Sequence, residues 1–586
     1  MERRVLIAIT LSFLVLFLFQ RFVMPPEPTP APSSVATGGS NSAPAPGSMA
    51  AINPASNAPS TPALIQGATG EKPVAGNTTP SGLPTVAPGA EVGPTVTVGE
   101  TADREVVVET TTVRATFTNR GGRLLHWVLK EYRNDNGSPL DLVPQSIGAD
   151  AVKPFSLVVD DPAVTERINN GLYKVSAAGD VDATATAQSI TFEMSASDGL
   201  TVTKTFSVEP RGYLVGFKTV VQLGQARLNP VIHWGPGLDD AIAHRPPSSF
   251  FSPNSIVPAQ PMIYKDGSVE RVAHTAAGSQ EGPFRYAGVS DHYFASLLLN
   301  DQASVPFRID YAPVNVPIPN EPARFATYMT YSVRFQAPQE SSRFFLGPKA
   351  FDDLKAIDGE LTRSIHFGMF SWLAVPLLGA LQWVHGFVGN WGWAIVVLTI
   401  LINLAMFPLR HKSVVSMKKM QELQPQMKAI QDRYAKYKIT DPERQKMNTE
   451  VMELYKTKGV NPASGCVPML LTMPFLFAFY AMLSVAIEIR GANFFAWITN
   501  LSAPDPFFIT PILMGAAQFW QTKMTPTTAD PAQQKIMMFM PIMFTFMSLS
   551  FPSGLVIYWL VSTVWTIGQQ YATNYLIGAP ARRIAK

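Results

Sequence analysis

WGWAIVVLTILINLAMFPL, Trp391 to Leu409, is the stretch that decides the fold. As a helix its 19 residues would extend roughly 28 Å, about the thickness of a bilayer's hydrocarbon core. It reads as a membrane span. One strongly polar residue, Asn403, interrupts it, four places after Thr399 and seven before Arg410. Spacings of four and seven set these three side chains near one helical face, a polar stripe that lipid would not solvate.

The rest of the chain divides around that span. Over 586 residues the net charge is only +3, but the hydrophobic residues, 46% of the total, concentrate after Phe367. This is the pattern of a part-soluble, part-membrane protein. A single cysteine, Cys466, excludes an internal disulfide and a cysteine cluster. There is no G-x-x-x-x-G-K-[ST] loop and no G-x-G-x-x-G opening a helix. Nucleotide-driven work therefore has no signature, and neither a cofactor nor a specific nucleic-acid partner is expected.

Residues 1–24 place Arg3 and Arg4 ahead of an apolar run from Val5 to Phe19, with no small-residue cleavage site directly after it. They read as an uncleaved signal-anchor helix with a cytoplasmic N-terminus. Residues 25–98 hold 15 of the 50 prolines, four charges and no aromatic residue. Such a segment cannot bury a core and is expected to be a disordered tether. Residues 99–347 change character: Thr201 to Glu209 (TVTKTFSVE) alternates with period two, and Val106 to Phe117 and Tyr213 to Leu223 are rich in β-branched and aromatic residues. Turn signals separate them, so a β-sandwich domain is expected. His233, His244, His274 and His292, with Asp239, Asp240 and Asp291, match no metal or triad spacing and are read as scattered surface groups.

Residues 348–390 are expected to form an interfacial amphipathic segment, with Trp372 and Trp383 as anchors in Phe367 to Val388. Residues 391–577 form the membrane core. Within it, residues 410–458 carry twelve Lys or Arg against six Asp or Glu, which assigns them to the cytoplasm. Their heptad-like seam, Pro425 and the Asp441-Pro442 helix start predict a helical hairpin. Four more spans follow: Val467 to Ile487, Phe507 to Trp520 (or a re-entrant segment), Ile536 to Phe551, and Gly554 to Ile577. The tight Phe551-Pro-Ser-Gly link predicts that the last two pair as a hairpin. Residues 578–586 are a short basic cytoplasmic tail.

On the last span Tyr558, Ser562, Thr566 and Gln569 or Gln570 make a second polar stripe. Set against Thr399, Asn403 and Arg410, it would line a wet groove that opens to the cytoplasm. No Asp, Glu, Lys or Arg lies inside the five later apolar runs, which argues against a proton relay or ion-coupled transporter. Sixteen of the 23 methionines fall between Met406 and Met547, giving adaptable apolar surface.

Gly459-Val-Asn-Pro-Ala-Ser-Gly-Cys-Val-Pro, Leu501-Ser-Ala-Pro-Asp-Pro, Met524-Thr-Pro-Thr-Thr with Asp530-Pro-Ala-Gln-Gln-Lys, and Phe551-Pro-Ser-Gly-Leu-Val-Ile-Tyr-Trp closely resemble the YidC membrane protein insertases. The resemblance covers Phe367 to Ile577, and the layout before it resembles the Gram-negative form. It implies an inner-membrane protein with a periplasmic β-supersandwich similar to galactose mutarotases and a five-span core. It also implies no enzymatic activity, nascent membrane proteins as substrates, and the Sec translocon, the ribosome and membrane lipid as partners. By the same resemblance Thr399 is a groove position, Trp559 stands where an aromatic contacts substrate, and Asn403 stands where many relatives carry a basic residue. Arg410 is the candidate substitute for that missing charge. The rival expectation is a membrane-tethered periplasmic carbohydrate-binding or mutarotase-like enzyme.

Overall fold

The alternation in Thr201 to Glu209 becomes a strand, Leu200–Val208, with every second side chain inward: Leu200, Val202, Lys204, Phe206 and Val208. In this computed structural model the described residues are 95–134, 137–145, 151–238, 257–301, 305–318, 321–437, 441–459, 467–524 and 531–577. The anchor 1–24, the tether but for its last residues, Asp239, Asp240, His244, Cys466 and the tail 578–586 lie outside them. Strand Leu200–Val208 pairs antiparallel with Gln188–Ala196 and Leu214–Leu223 inside an eleven-stranded sheet. Two five-stranded sheets accompany it, one built around Val113–Thr118 and Arg123–Arg133, the other around Phe307–Ile318 and Glu321–Phe335. The expected sandwich is thus extended by a third sheet.

One apolar core serves all three sheets. At its centre the Phe155 ring meets Phe206, Phe217, Trp234 and Phe344 at centroid distances of 5.1, 5.0, 5.9 and 5.1 Å. The Trp127 indole N–H donates to the Leu346 carbonyl at 2.8 Å, tying the first small sheet to the large one. Lys204 is the exception in this core, with 0% exposure. Its Nζ donates to the carbonyls of Gly121 (2.7 Å) and Phe155 (2.9 Å). Backbone oxygens at the turn and at Phe155, which have no strand partner, thereby gain a donor.

The histidines do not all lie at the surface, contrary to expectation. His233 is half-buried beside Thr330, and burial pushes its pKa below the usual value. His292 is buried, and its Nε2–H donates to the Ser484 carbonyl at 2.6 Å. Next to it the Arg490 guanidinium lies 5.0 Å from the Tyr293 ring centroid and 4.9 Å from that of Phe294. These contacts seat the base of the strand region on the helices, and no sequence spacing marks them.

Ten helices are described: α1 (Pro162–Asn170), α2 (Phe351–Ile357), α3 (Ser371–Val388), α4 (Trp391–Glu422), α5 (Gln424–Arg433), α6 (Pro442–Thr457), α7 (Val467–Val485), α8 (Ile509–Met524), α9 (Pro531–Ser548) and α10 (Ser553–Ile577). Gly389, at φ +70°, ends α3, and the Asn390 side chain caps α4 by accepting from the Trp393 N–H. α4 does not stop at Leu409; it runs unbroken through Pro408 and Arg410 for 32 residues. The flanking residues are good helix formers, and one missing N–H inside a long helix is tolerated where packing holds it. As expected, Asp441 caps α6 with Pro442 in its first turn. Arg433 and Glu450 pair at 3.1 Å between α5 and α6. Among the described residues two helical stretches are long and apolar enough to cross a membrane, Gly368–Val388 and Trp391–Glu422. The first of these is the segment expected to lie along the interface.

α9 and α10 do not form the expected side-by-side hairpin. α9 packs chiefly on α8, and α10 packs on α4 and then on α8; across the tight link the Phe544 and Trp559 rings meet at 5.5 Å. Gly515 on α8 permits the close approach to α9: a Cβ there would come within 1.8 Å of Thr545 Oγ1.

Gly515→Val is expected to cost about 1–3 kcal/mol by overpacking, with Thr545→Ala recovering part of it, as read by thermal unfolding of the detergent-solubilised chain. Lys204→Met removes the only side-chain donor to the Phe155 carbonyl among the described residues and is expected to cost about 1–3 kcal/mol. Burial, with the Arg123 charge behind it, holds the Lys204 amine well below the usual lysine value. Between that depressed value and about 10.4, unfolding takes up a proton, so wild-type stability should rise with pH across this window. Lys204→Met should flatten that dependence in unfolding experiments at several pH values.

Candidate functional site

The polar stripes of α4 and α10 meet. Side chains on a helix lean towards its N-terminus, so Arg410 reaches back over the preceding turns. There its Nη1 donates to Asn403 Oδ1 at 2.7 Å and to Thr566 Oγ1 at 3.1 Å. Ser562 Oγ also donates to Asn403 Oδ1, at 3.4 Å. The supporting bonds run along each helix. Asn403 Nδ2 donates to the Thr399 carbonyl, Thr399 Oγ1 to the Ile395 carbonyl, and Thr566 Oγ1 to the Ser562 carbonyl, at 2.8, 2.6 and 2.8 Å.

This arrangement differs from an open, water-lined gap at the level of Thr399. Thr399 and Asn403 are only 0% and 2% exposed, whereas Arg410, Ser562 and Thr566 are half-buried. The two stripes close on each other at their inner end, because neutral polar groups in apolar surroundings are stable only with their hydrogen bonds made. Access is left at the Arg410 end. The other two candidates face different neighbours: Tyr558 is buried and stacks on Phe479 of α7 at 4.2 Å, and Trp559 is half-buried against Phe544 of α9.

Two further rungs extend the same seam, the second of them outside the sequence reading. Gln569 Nε2, one of two alternatives there, donates to the Phe407 carbonyl at 3.3 Å. His411 Nδ1 lies 3.2 Å from Thr573 Oγ1. Thr573 continues the i+7 spacing from Thr566, and His411 adjoins Arg410, so the periodicity was there to extend. On the side facing α8, an apolar crevice of about 840 Å³ opens between α4, α8 and α10, lined by Ile400, Phe407, Leu513, Val564 and Trp565 among others.

The electrostatics centre on Arg410. Both of its hydrogen bonds come from Nη1 and go to neutral oxygens. Among the described residues no carboxylate pairs with it, and its Nε and Nη2 hydrogens have no protein acceptor. A half-buried guanidinium in this state holds unspent capacity for an acidic or carbonyl oxygen brought from outside. Among the described residues no group of three or more His, Cys, Asp or Glu side chains could hold a metal ion.

Comparison with known proteins bears on the whole chain. The family model described as 60Kd inner membrane protein matches residues 383–579, and that of the YidC periplasmic domain matches residues 105–380. A protein named "Membrane protein insertase YidC" from Syntrophus aciditrophicus is 33% identical over 602 residues, covering 98% of this chain and 99% of the relative. Its namesake from Pelobacter propionicus is 33% identical over 606 residues, covering 98% and 100%. A crystal structure of an active YidC insertase with its first transmembrane domain resolved covers 81% of this chain and 93% of its own, at 17% identity and a TM-score of 0.34. That superposition is too loose to add to the argument. The carbohydrate-enzyme reading finds no support in the family models or these relatives. Full-length identity to named insertases, together with the two family models that divide the strand-rich from the helical region, places this chain in the YidC family of membrane protein insertases.

Proposed function

We propose that the chain inserts nascent membrane proteins through the Arg410 end of the α4–α10 seam, with Thr399, Asn403, Ser562 and Thr566 supporting the guanidinium and Tyr558 and Trp559 shaping its walls. In this reading a substrate's polar or acidic flank bonds to Arg410 while its apolar segment moves into lipid. An unsatisfied polar group in hydrocarbon costs several kcal/mol, whereas each Leu or Ile favours insertion by about 0.3 to 0.6 kcal/mol. Lowering the first cost lets the second drive the step without nucleotide hydrolysis and without enzymatic chemistry. The single observation that supports this most is a half-buried guanidinium bonded to Asn403 and Thr566 and free of any carboxylate among the described residues.

The wider reading follows the same lines. Residues 1–24 anchor the chain, 25–98 tether a periplasmic β domain at 99–347, and 348–390 lead along the outer interface into five spans within 391–577. The hairpin at 410–458 and both termini are cytoplasmic, which the excess of Lys and Arg supports. The Sec translocon and, through the short tail 578–586, the ribosome are the partners proposed for delivery.

Arg410→Thr should reduce insertion of a substrate with an acidic flank into proteoliposomes by about tenfold, the worth of one charge-assisted hydrogen bond. Returning the charge one notch inward, in the double variant Asn403→Arg/Arg410→Thr, should recover most of it. If the double variant stays as weak as the single one while both remain folded, the proposal that the charge at this level carries insertion fails. Crosslinking of a stalled nascent chain to position 410 or 562, and its absence at buried position 399, is the matching positional check.

A further inference from the structure

The strand region carries a second uncompensated cation, far along the chain from the first. Arg271 ends strand Ser268–Arg271, the last strand of the large sheet. Its Nη2 donates to the carbonyls of Arg363 and Ser364 at 3.2 and 3.0 Å. Those bonds aim the guanidinium, but they spend only one of its three nitrogens, and among the described residues no carboxylate pairs with it. The neighbouring Arg363 is different. It is committed to Glu360 at 2.9 Å and to the Gly267 carbonyl at 2.6 Å.

Arg271 faces a cavity of about 660 Å³ whose wall also includes His366, Trp372, Val375 and Pro376. A second cavity, of about 460 Å³, shares Arg271 and His366 and adds Lys349 to the basic lining. The first cavity thus combines Arg271 from the strand region and His366 from the connection before α3 with the apolar start of α3. Trp372 is 68% exposed, and Met369, Trp383 and Phe387 nearby are also exposed. Large apolar side chains left bare on an apolar helix are what the headgroup level of a bilayer accommodates.

We propose that this cavity binds one anionic phospholipid, its phosphate diester held by Arg271 and His366 and its upper acyl chain lying along Trp372, Val375 and Pro376. A planar guanidinium with free donors matches phosphate oxygens in pairs. A soluble phosphate would satisfy the Arg271 guanidinium and the His366 ring N–H but leave the Trp372 wall bare, so the apolar half of the cavity favours the lipid. The inference rests on α3 lying at the membrane, as in the proposed function, but not on the Arg410 seam.

The test uses the full chain in detergent, loaded with phosphatidylglycerol or phosphatidylcholine, with retained lipid counted by native mass spectrometry. The wild type should retain phosphatidylglycerol about tenfold better than phosphatidylcholine. Arg271→Gln should lose that preference, and so should His366→Glu, whose exposed side chain keeps the result readable if Arg271→Gln fails to fold. Arg410→Thr should keep the preference, which separates this site from the insertion seam. Equal retention of both lipids by the wild type, or an undiminished preference in His366→Glu, overturns the proposal. So does saturable binding of inorganic phosphate that depends on Arg271 without any preference for phosphatidylglycerol.

Discussion

A positive charge held in apolar surroundings by neutral oxygens alone is the constraint around which the helical region is arranged. Taking a guanidinium out of water costs several kcal/mol unless its hydrogen bonds are replaced. Here Asn403 and Thr566 replace two of them, and among the described residues no carboxylate joins them. A built-in carboxylate would cancel the charge. The side chains that hold Arg410 are in turn fixed by bonds to their own helices, so the cluster keeps its shape without a counterion.

Such a cluster needs rigid walls. The stacked pair Phe479 and Tyr558 fastens α7 to α10, and α8 sits against both α9 and α10, approaching α9 closely at Gly515, which offers no side chain. The strand region contributes from the other end, where His292 holds the Ser484 carbonyl and Arg490 lies over Tyr293 and Phe294. It is therefore joined to the helices by polar and cation–π contacts as well as by chain continuity.

What the sequence made readable was periodic. The strand at Thr201 to Glu209 and the two stripes on α4 and α10 follow from spacings of two, four and seven, which backbone geometry converts directly into faces, and the Asp441-Pro442 pair marked the start of α6. Burial within a face was not readable. Thr399 and Asn403 look identical in spacing to Arg410, yet only the arginine has the reach to remain accessible. Lys204 falls on the inward side of its strand by the same alternation that places Val202 and Phe206 there. Its acceptors come from 83 and 49 residues away, and no local pattern announces them. The pairing of α9 and α10 misled for a similar reason: a short link fixes where two helices start, whereas packing decides where they go. In Trp559 the neighbour is Phe544, which a helix-face argument confined to one span does not supply.

α4 continues from Trp391 to Glu422 as one rod, and Pro408 lies inside it, between the asparagine and the arginine. A proline ring cannot donate to the carbonyl four residues back, so the rod's most compliant point sits between the two ends of its key hydrogen bond. Leverage applied to the outer arm, beyond Leu409, is concentrated at that joint. A small hinge angle there would lengthen or shorten the reach from the guanidinium to its amide acceptor, making the strength of the positive site mechanically adjustable from the far arm of the helix.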